Sequence, residues 1–328
     1  MPATPLVLFA HAADAETVRV AAAALGGVAD VRSLPEDPDE RRVLLPRAVA
    51  LLVAGWRIPD DELPFLDGVR FVQRVWAGAE TLPFRRMSAH APVAVFAANA
   101  GPNAPQVAEH AIALYLAAAK RIVEHDAKMR RGGWDQEKPS ASVAGSRIAV
   151  AGWGHVGRRV GRALSALGAD VVAIARSPVV DQGVAKSGTL ADLRAWRGGL
   201  DGLVLALPLT NETRGLVDRA FLEGMKREAI LVNVARGKLV VEEDLHAHLV
   251  HRPSFRVGLD VWWHYPKADG RFRDPLGFAS LPNMVMTPHC AFHVPGARAT
   301  MVASAARNVG RFLRGEAPEG VLDPAEYR

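Results

Sequence analysis

The stretch Arg147–Arg176, RIAVAGWGHVGRRVGRALSALGADVVAIAR, decides how the chain is read. It opens on an apolar run, Ile148 to Ala151, and turns through Gly152-Trp153-Gly154-His155-Val156-Gly157. A helix-compatible segment follows to Leu167, then a break at Gly168 and a second apolar run, Val171 to Ala175. Strand, glycine turn, helix and strand in this compass form the βαβ unit that binds a dinucleotide. Gly152 permits the tight turn, Gly154 lets backbone approach a pyrophosphate, and Gly157 lets helix and strand pack closely. The helix then begins with unsatisfied N–H groups facing the phosphates.

The end of the second run bears on which dinucleotide. A carboxylate there would bind the ribose 2′-hydroxyl of NAD. The place is held instead by Ala175, followed by Arg176 and Ser177. A guanidinium and a hydroxyl suit a 2′-phosphate, so NADP is preferred. NAD is the alternative, with Arg176 then a solvated surface residue.

Working outward, 328 residues suggest two domains. A hydrophobic share of 49% and a charged share of 23% are those of a globular protein. The net charge of +5 comes from arginines spread along the chain, without a basic block or aromatic-interleaved stripe. Nucleic acid is therefore not expected as a partner, and a small anionic ligand is. A single cysteine leaves no intrachain disulfide and no cysteine zinc site; no metal is expected. Neither a signal peptide nor a membrane span is legible, and a cytoplasmic location is expected.

Before the central stretch, apolar runs at 5–10, 28–33, 48–54, 69–75 and 93–96 read as strands, with a helix from Asp14 to Leu25 closed by Gly26-Gly27. Pro35 to Glu40 reads as a loop, and Pro105 to Met129 as one long helix. After it, strands are expected at 203–207, 229–234, 255–261 and 284–287, and helices at 242–250 and 296–314. Unbroken apolar strands at helix-length intervals imply parallel sheets covered on both faces.

Three strand ends carry chemistry. Arg236 and Gly237 follow the strand at 229, where a guanidinium can hold a carboxylate or carbonyl oxygen. Asp260 closes Gly258-Leu259-Asp260-Val261, placed to cap a helix, bind the cofactor's carboxamide or orient a histidine. His289 follows Thr287-Pro288, and histidine moves protons near neutral pH. His246, His248 and His251 read as a solvated helix face, and Cys290 as a small buried residue. A dinucleotide site, an arginine, an acid and a histidine together describe hydride transfer.

With these residues in hand, the chain resembles the D-isomer-specific 2-hydroxyacid dehydrogenases over nearly its whole length. The motifs are Trp76-Ala77-Gly78-Ala79, Asn99-Ala100-Gly101, Val107-Ala108-Glu109-His110, the glycine turn, Leu207-Pro208-Leu209-Thr210, Val234-Ala235-Arg236-Gly237, Gly258-Leu259-Asp260-Val261 and Thr287-Pro288-His289. The resemblance implies an α/β fold of two Rossmann-like or flavodoxin-like domains with parallel sheets, an active-site cleft between them, and a homodimer. Residues 1–103 and 293–328 would form the substrate domain and 104–292 the dinucleotide-binding domain.

It also implies roles. Arg236 would hold the substrate's carboxylate and carbonyl, and His289 would be the acid in reduction and the base in oxidation. The backbone amides of Ala77, Gly78 and Ala79 would hold the substrate carboxylate. His155 and Val156 would lie on the pyrophosphate, Leu207 and Pro208 on the cofactor's adenosine side, and Val234 and Asp260 at its nicotinamide end, with Thr213 and Ala235 also among the cofactor-binding residues. Asn103 matches an asparagine used by formate dehydrogenases, relatives of the family.

One departure stands out. The family places a glutamate five residues after the aspartate, bonded to the histidine; here that position is Tyr265. Asp269 and Asp274 are the carboxylates available as substitutes, and Trp262 and Trp263 are either pocket walls or core and dimer contacts. The expected activity is hydride exchange between NAD(P)H and a small 2-keto acid of the glyoxylate or hydroxypyruvate type. The alternatives are oxidation of another small anion such as formate, and a non-enzymatic NAD(P) sensor.

Overall fold

A computed structural model describes residues 4–327, and the chain divides into two compact units, 1–103 with 294–328 and 104–293. In the first unit, β1 (Leu6–Phe9), β2 (Asp30–Arg32), β3 (Ala48–Val53), β4 (Phe71–Arg74) and β5 (Val95–Ala98) form a parallel sheet of order β2-β1-β3-β4-β5. Its helices are α1 (Ala15–Leu25), α2 (Pro38–Leu44) and α3 (Phe84–His90), with a C-terminal helix described below. Alternation along the strands explains the unbroken apolar runs. Val7 and Phe9 pack with Ala21 and Leu25, while Leu8 and Ala10 join Leu51, Val72 and Met87 on the opposite face.

In the second unit, α4 (Ala104–Ala119) and α5 (Ile122–Arg130) lead into β6 (Arg147–Ala151), α6 (His155–Ala166), β7 (Asp170–Ile174) and β8 (Val184–Gly188). Then come α7 (Leu190–Trp196), β9 (Gly202–Leu205), α8 (Arg219–Glu223), β10 (Ile230–Asn233), α9 (Glu242–His251), β11 (Arg256–Leu259) and β12 (Met284–Met286). The seven strands run parallel in the order β12-β11-β10-β9-β6-β7-β8. The order reverses between β6 and β9, and ligands of such sheets bind outside the strand ends at that switch point. The last helix, α10 (Ala297–Leu313), belongs to the first unit, where Phe312 stacks on Phe71 at 4.7 Å.

Three expectations are corrected. The 105–129 helix is two helices, because Arg121 takes a left-handed backbone (φ 55°) between α4 and α5. The 35–40 loop contains the start of α2: Asp37 caps it by accepting from the Asp39 amide, and Pro38 occupies the first turn. The His246, His248 and His251 face is not solvated as a whole, since His248 is buried edge-on to Phe255 at 4.6 Å and His246 packs edge-on to Phe278 at 5.2 Å. Among the described residues no helix is long and apolar enough to cross a membrane.

Candidate active site

The glycine turn is where its sequence puts it, at the C-terminal end of β6. Gly152 has φ 97°, and a Cβ on it would come within 2.5 Å of the Ala206 carbonyl oxygen beyond β9. A Cβ on Gly157 would overlap the carbonyl oxygen of Gly152. The two glycines therefore let turn, helix and neighbouring strand close on one another. Gly154, the N-cap of α6, faces open space and has no side-chain cap. His155 is exposed and Val156 partly buried at the first turn of α6. An uncapped helix N-terminus above a glycine cradle fits the diphosphate of a dinucleotide.

At the end of β7, Arg176 and Ser177 are exposed. The one acid of the following loop, Asp181, accepts from Arg162 at 3.0 Å and from the Trp153 indole at 3.2 Å. The Arg162 guanidinium holds that carboxyl below the usual range. Beyond β9, Leu207 is buried in the core and Pro208 is exposed. Thr213 braces this loop: its hydroxyl donates to Pro208 O at 2.7 Å and accepts from the Thr210 amide at 2.8 Å. Thr213 is 7% exposed, so the structure gives it a positioning task in the loop that carries Leu207 and Pro208.

At the end of β10, the fully buried Asn233 shapes the next turn. Its side-chain oxygen accepts from the Ala235 amide at 3.0 Å and its side-chain nitrogen donates to Arg236 O at 2.8 Å. Val234 and Ala235 are buried in this turn, while Arg236 is partly exposed, with one guanidinium nitrogen donating to Ala235 O at 2.6 Å. Gly237 comes so close to the backbone of Trp262 that a Cβ would overlap it.

Asp260, just beyond β11, has no exposed surface. It accepts from the Thr287 hydroxyl at 2.7 Å, the Cys290 amide at 2.9 Å and the Ala291 amide at 3.1 Å. These bonds straddle His289, whose backbone is left-handed (φ 56°), an arrangement that persists only where its surroundings over-determine it. These bonds hold the loop on both sides of the histidine.

The motif around His110 also acquires a task that its sequence did not disclose. Its Nε2 lies 2.8 Å from Thr287 Oγ1 and 3.4 Å from Asp260, tying α4 to the His289 loop. His110, Asp260 and Cys290 offer one donor atom each within 4.8 Å of one another. The Asp260 oxygens are already occupied, so the cluster reads as a hydrogen-bond network. Burial pushes the Cys290 thiol up, with the Asp260 carboxylate adding to it, which opposes a thiolate nucleophile.

Trp262 is a core residue, and Trp263 is partly buried against that core. Trp262 donates to Thr287 O at 2.9 Å, and Trp263 donates to Val240 O at 2.8 Å and stacks on Phe278. Tyr265 sets its ring 5.5 Å from that of His289. Neither carboxylate considered as a substitute is open to that task. Asp274 accepts from the amides of Gly277, Phe278 and Ala279, and Asp269 pairs with Arg273 at 2.5 Å.

In the first unit, Arg74 fixes the 77–79 loop by donating to Gly78 O at 3.0 Å. Ala77 is exposed, Gly78 partly so, and Ala79 is buried in the core. Among the described residues nothing accepts from the amides of these three. Asn103 is partly buried, just before α4.

Along the C-terminal edge of the second sheet the order is thus His289, Asp260, Arg236, Leu207, the glycine turn and Arg176. Neighbouring strands are about 4.8 Å apart, so the His289 loop, Arg236 and the glycine turn succeed one another at molecular spacing. A family model described as D-isomer specific 2-hydroxyacid dehydrogenase, NAD binding domain, matches residues 112–291, more than half of the chain. The chain belongs to the D-isomer specific 2-hydroxyacid dehydrogenase family, NAD(P)-dependent oxidoreductases acting on CH–OH groups.

Within that family, a glycerate dehydrogenase from Methylorubrum extorquens is 32% identical over 224 residues, covering 66% of this chain and 68% of the relative. A D-3-phosphoglycerate dehydrogenase from Mycobacterium tuberculosis is 33% identical over 321 residues, 95% of this chain, which spans only 57% of that relative's length. A solved structure of a Pyrobaculum aerophilum protein, provisionally named a formate dehydrogenase, is 31% identical with a TM-score of 0.82, covering 98% of this chain and 99% of that one.

Proposed function

We propose that this family member reduces a small 2-keto acid of the glyoxylate or hydroxypyruvate type to the D-2-hydroxy acid, with NADPH as donor. The observation that carries the reading is the order of groups along one sheet edge, from the His289 loop through Arg236 to the uncapped N-terminus of α6. Bound nicotinamide supplies the hydride. Arg236 orients the substrate by its carboxylate and draws electron density toward the carbonyl oxygen. His289 delivers a proton to that oxygen in reduction and removes it in oxidation. The amides of Ala77, Gly78 and Ala79 are donors suited to a carboxylate, and Val234, Ala235, Leu207, Pro208, His155 and Val156 would hold the cofactor.

Arg176 and Ser177 support NADP over NAD: both are exposed at the end of β7, and the nearest acid in sequence, Asp181, is engaged by Arg162 and Trp153. The 1–103 and 293–328 segments are assigned the substrate and 104–292 the dinucleotide. A cytoplasmic homodimer is part of the same reading. Exposed Ile122, Val123, Met129 and Trp134 on and after α5 are apolar surface that a second copy would cover.

A second reading, oxidation of formate, is favoured by the Pyrobaculum aerophilum structure and by Tyr265, since that reaction needs no proton relay. Fluorescence titration with NADPH and NADH, followed by a panel of 2-keto acids and by formate with NADP, decides between them. Tight NADPH binding with turnover of a 2-keto acid is expected. Turnover of formate alone supports the second reading, and binding without any turnover refutes both.

A further inference from the structure

Three ties converge on Trp262. Its indole N–H donates to Thr287 O at 2.9 Å, its amide donates to the Tyr265 phenol oxygen at 3.5 Å, and its backbone lies against Gly237. The ring is itself fixed, buried and edge-on to Phe272 at 4.6 Å. Trp262 thus touches both the Tyr265 side chain and the loop that carries His289. Tyr265 lays its ring beside the imidazole, centroids 5.5 Å apart and planes at 48°. His289 leaves the main chain from a left-handed residue whose two flanks are held by Asp260. Backbone and ring face together define one direction for the imidazole.

We propose that Tyr265 is a positioning residue for His289, holding the imidazole by ring packing where the family places a carboxylate. This rests on reading His289 as the proton-transfer group. Phenols stay neutral through the range in which imidazoles titrate, so this position orients the ring without adding negative charge. Several titratable groups of the neighbouring segments have partners of their own. Asp260 and His110 bind the loop at Thr287, Cys290 is part of the loop, and Glu242 faces His264 at 3.0 Å. Asp269 and Asp274 are engaged within their own segment.

The test uses Tyr265→Phe, Tyr265→Ala and Tyr265→Glu in the full chain. Tyr265 is 46% exposed, so the variants are expected to fold. One readout is NMR titration of the His289 ring protons, assigned with His289→Asn; the other is kcat and KM across pH. Tyr265→Phe should keep kcat within about threefold, while Tyr265→Ala should lose roughly tenfold or more in kcat with NADPH affinity retained, since misplacing a reacting group is costly. Tyr265→Glu should move the imidazole titration upward by about one pH unit through its charge.

An alanine variant with wild-type kcat, a phenylalanine variant as impaired as the alanine one, or a glutamate variant with an unmoved titration would each overturn the proposal. If the wild type turns over no 2-keto acid, the dehydrogenase reading fails, yet the NMR arm still decides this one. Tyr265→Ala must shift the His289 ring protons by removing the ring current, and their staying in place refutes the contact.

Discussion

Replacing Asp260 by alanine should release the His289 loop, and the size of the effect follows from the bonds lost. Three donors converge on this carboxylate: the Thr287 hydroxyl and the amides of Cys290 and Ala291, at 2.7 to 3.1 Å. A buried donor left without an acceptor costs about 1–3 kcal/mol. With water reaching the partly exposed Cys290, the loss comes to roughly 2–6 kcal/mol on that scale. That is a large part of the ~5–15 kcal/mol that keeps a domain folded. Asp260→Asn keeps one oxygen and turns an amide donor toward the others, so it should cost about 1–3 kcal/mol. Chemical denaturation of both variants measures the loss, and hydrogen exchange at the Cys290 and Ala291 amides reports the loop. Wild-type stability with protected amides in Asp260→Ala would refute the clamp.

His289→Ala should lower kcat by about 10²–10⁴, the usual contribution of a general acid, while NADPH binding by fluorescence stays near wild type; full activity would remove the histidine from the mechanism. Arg176→Ala should weaken NADPH far more than NADH, and equal losses in the two titrations would sink the 2′-phosphate assignment. Burial pulls the His248 imidazole down from its usual 6.5 to about 4, with Arg252 adding to it. The unfolded chain then binds a proton that the folded one refuses, so stability present above pH 6.5 is lost as pH falls toward 4. His248→Phe should flatten that part of the denaturation-versus-pH curve, and an unchanged slope would assign it to other groups.

Much of this was legible because chemistry and backbone geometry coincide. The glycine turn needs a positive φ at Gly152 and close contact at Gly157, and both can be read from residue type alone. Apolar runs marked β1, β3, β6, β7 and β10 because strands buried on both faces carry few polar residues. What stayed hidden has physical causes. β8, Val184–Gly188, is a polar edge strand without an apolar run to reveal it. The break at Arg121 depends on a left-handed backbone that arginine does not advertise. The role of His110 exists only once α4 crosses the end of β12, and that of Trp262 only once Gly237 admits its backbone. Nearness along the chain suggested Asp269 and Asp274 as partners for His289; their own turns claim them first.

The most direct test of the account is reduction of hydroxypyruvate by the purified protein with NADPH, followed by absorbance, with chiral analysis of the product. Glyoxylate gives an achiral product and cannot report the face of attack, whereas hydroxypyruvate can. The account predicts NADPH consumption matched mole for mole by D-glycerate, and its loss in His289→Ala. NADPH bound tightly but left unconsumed, or an L or racemic product, would contradict it.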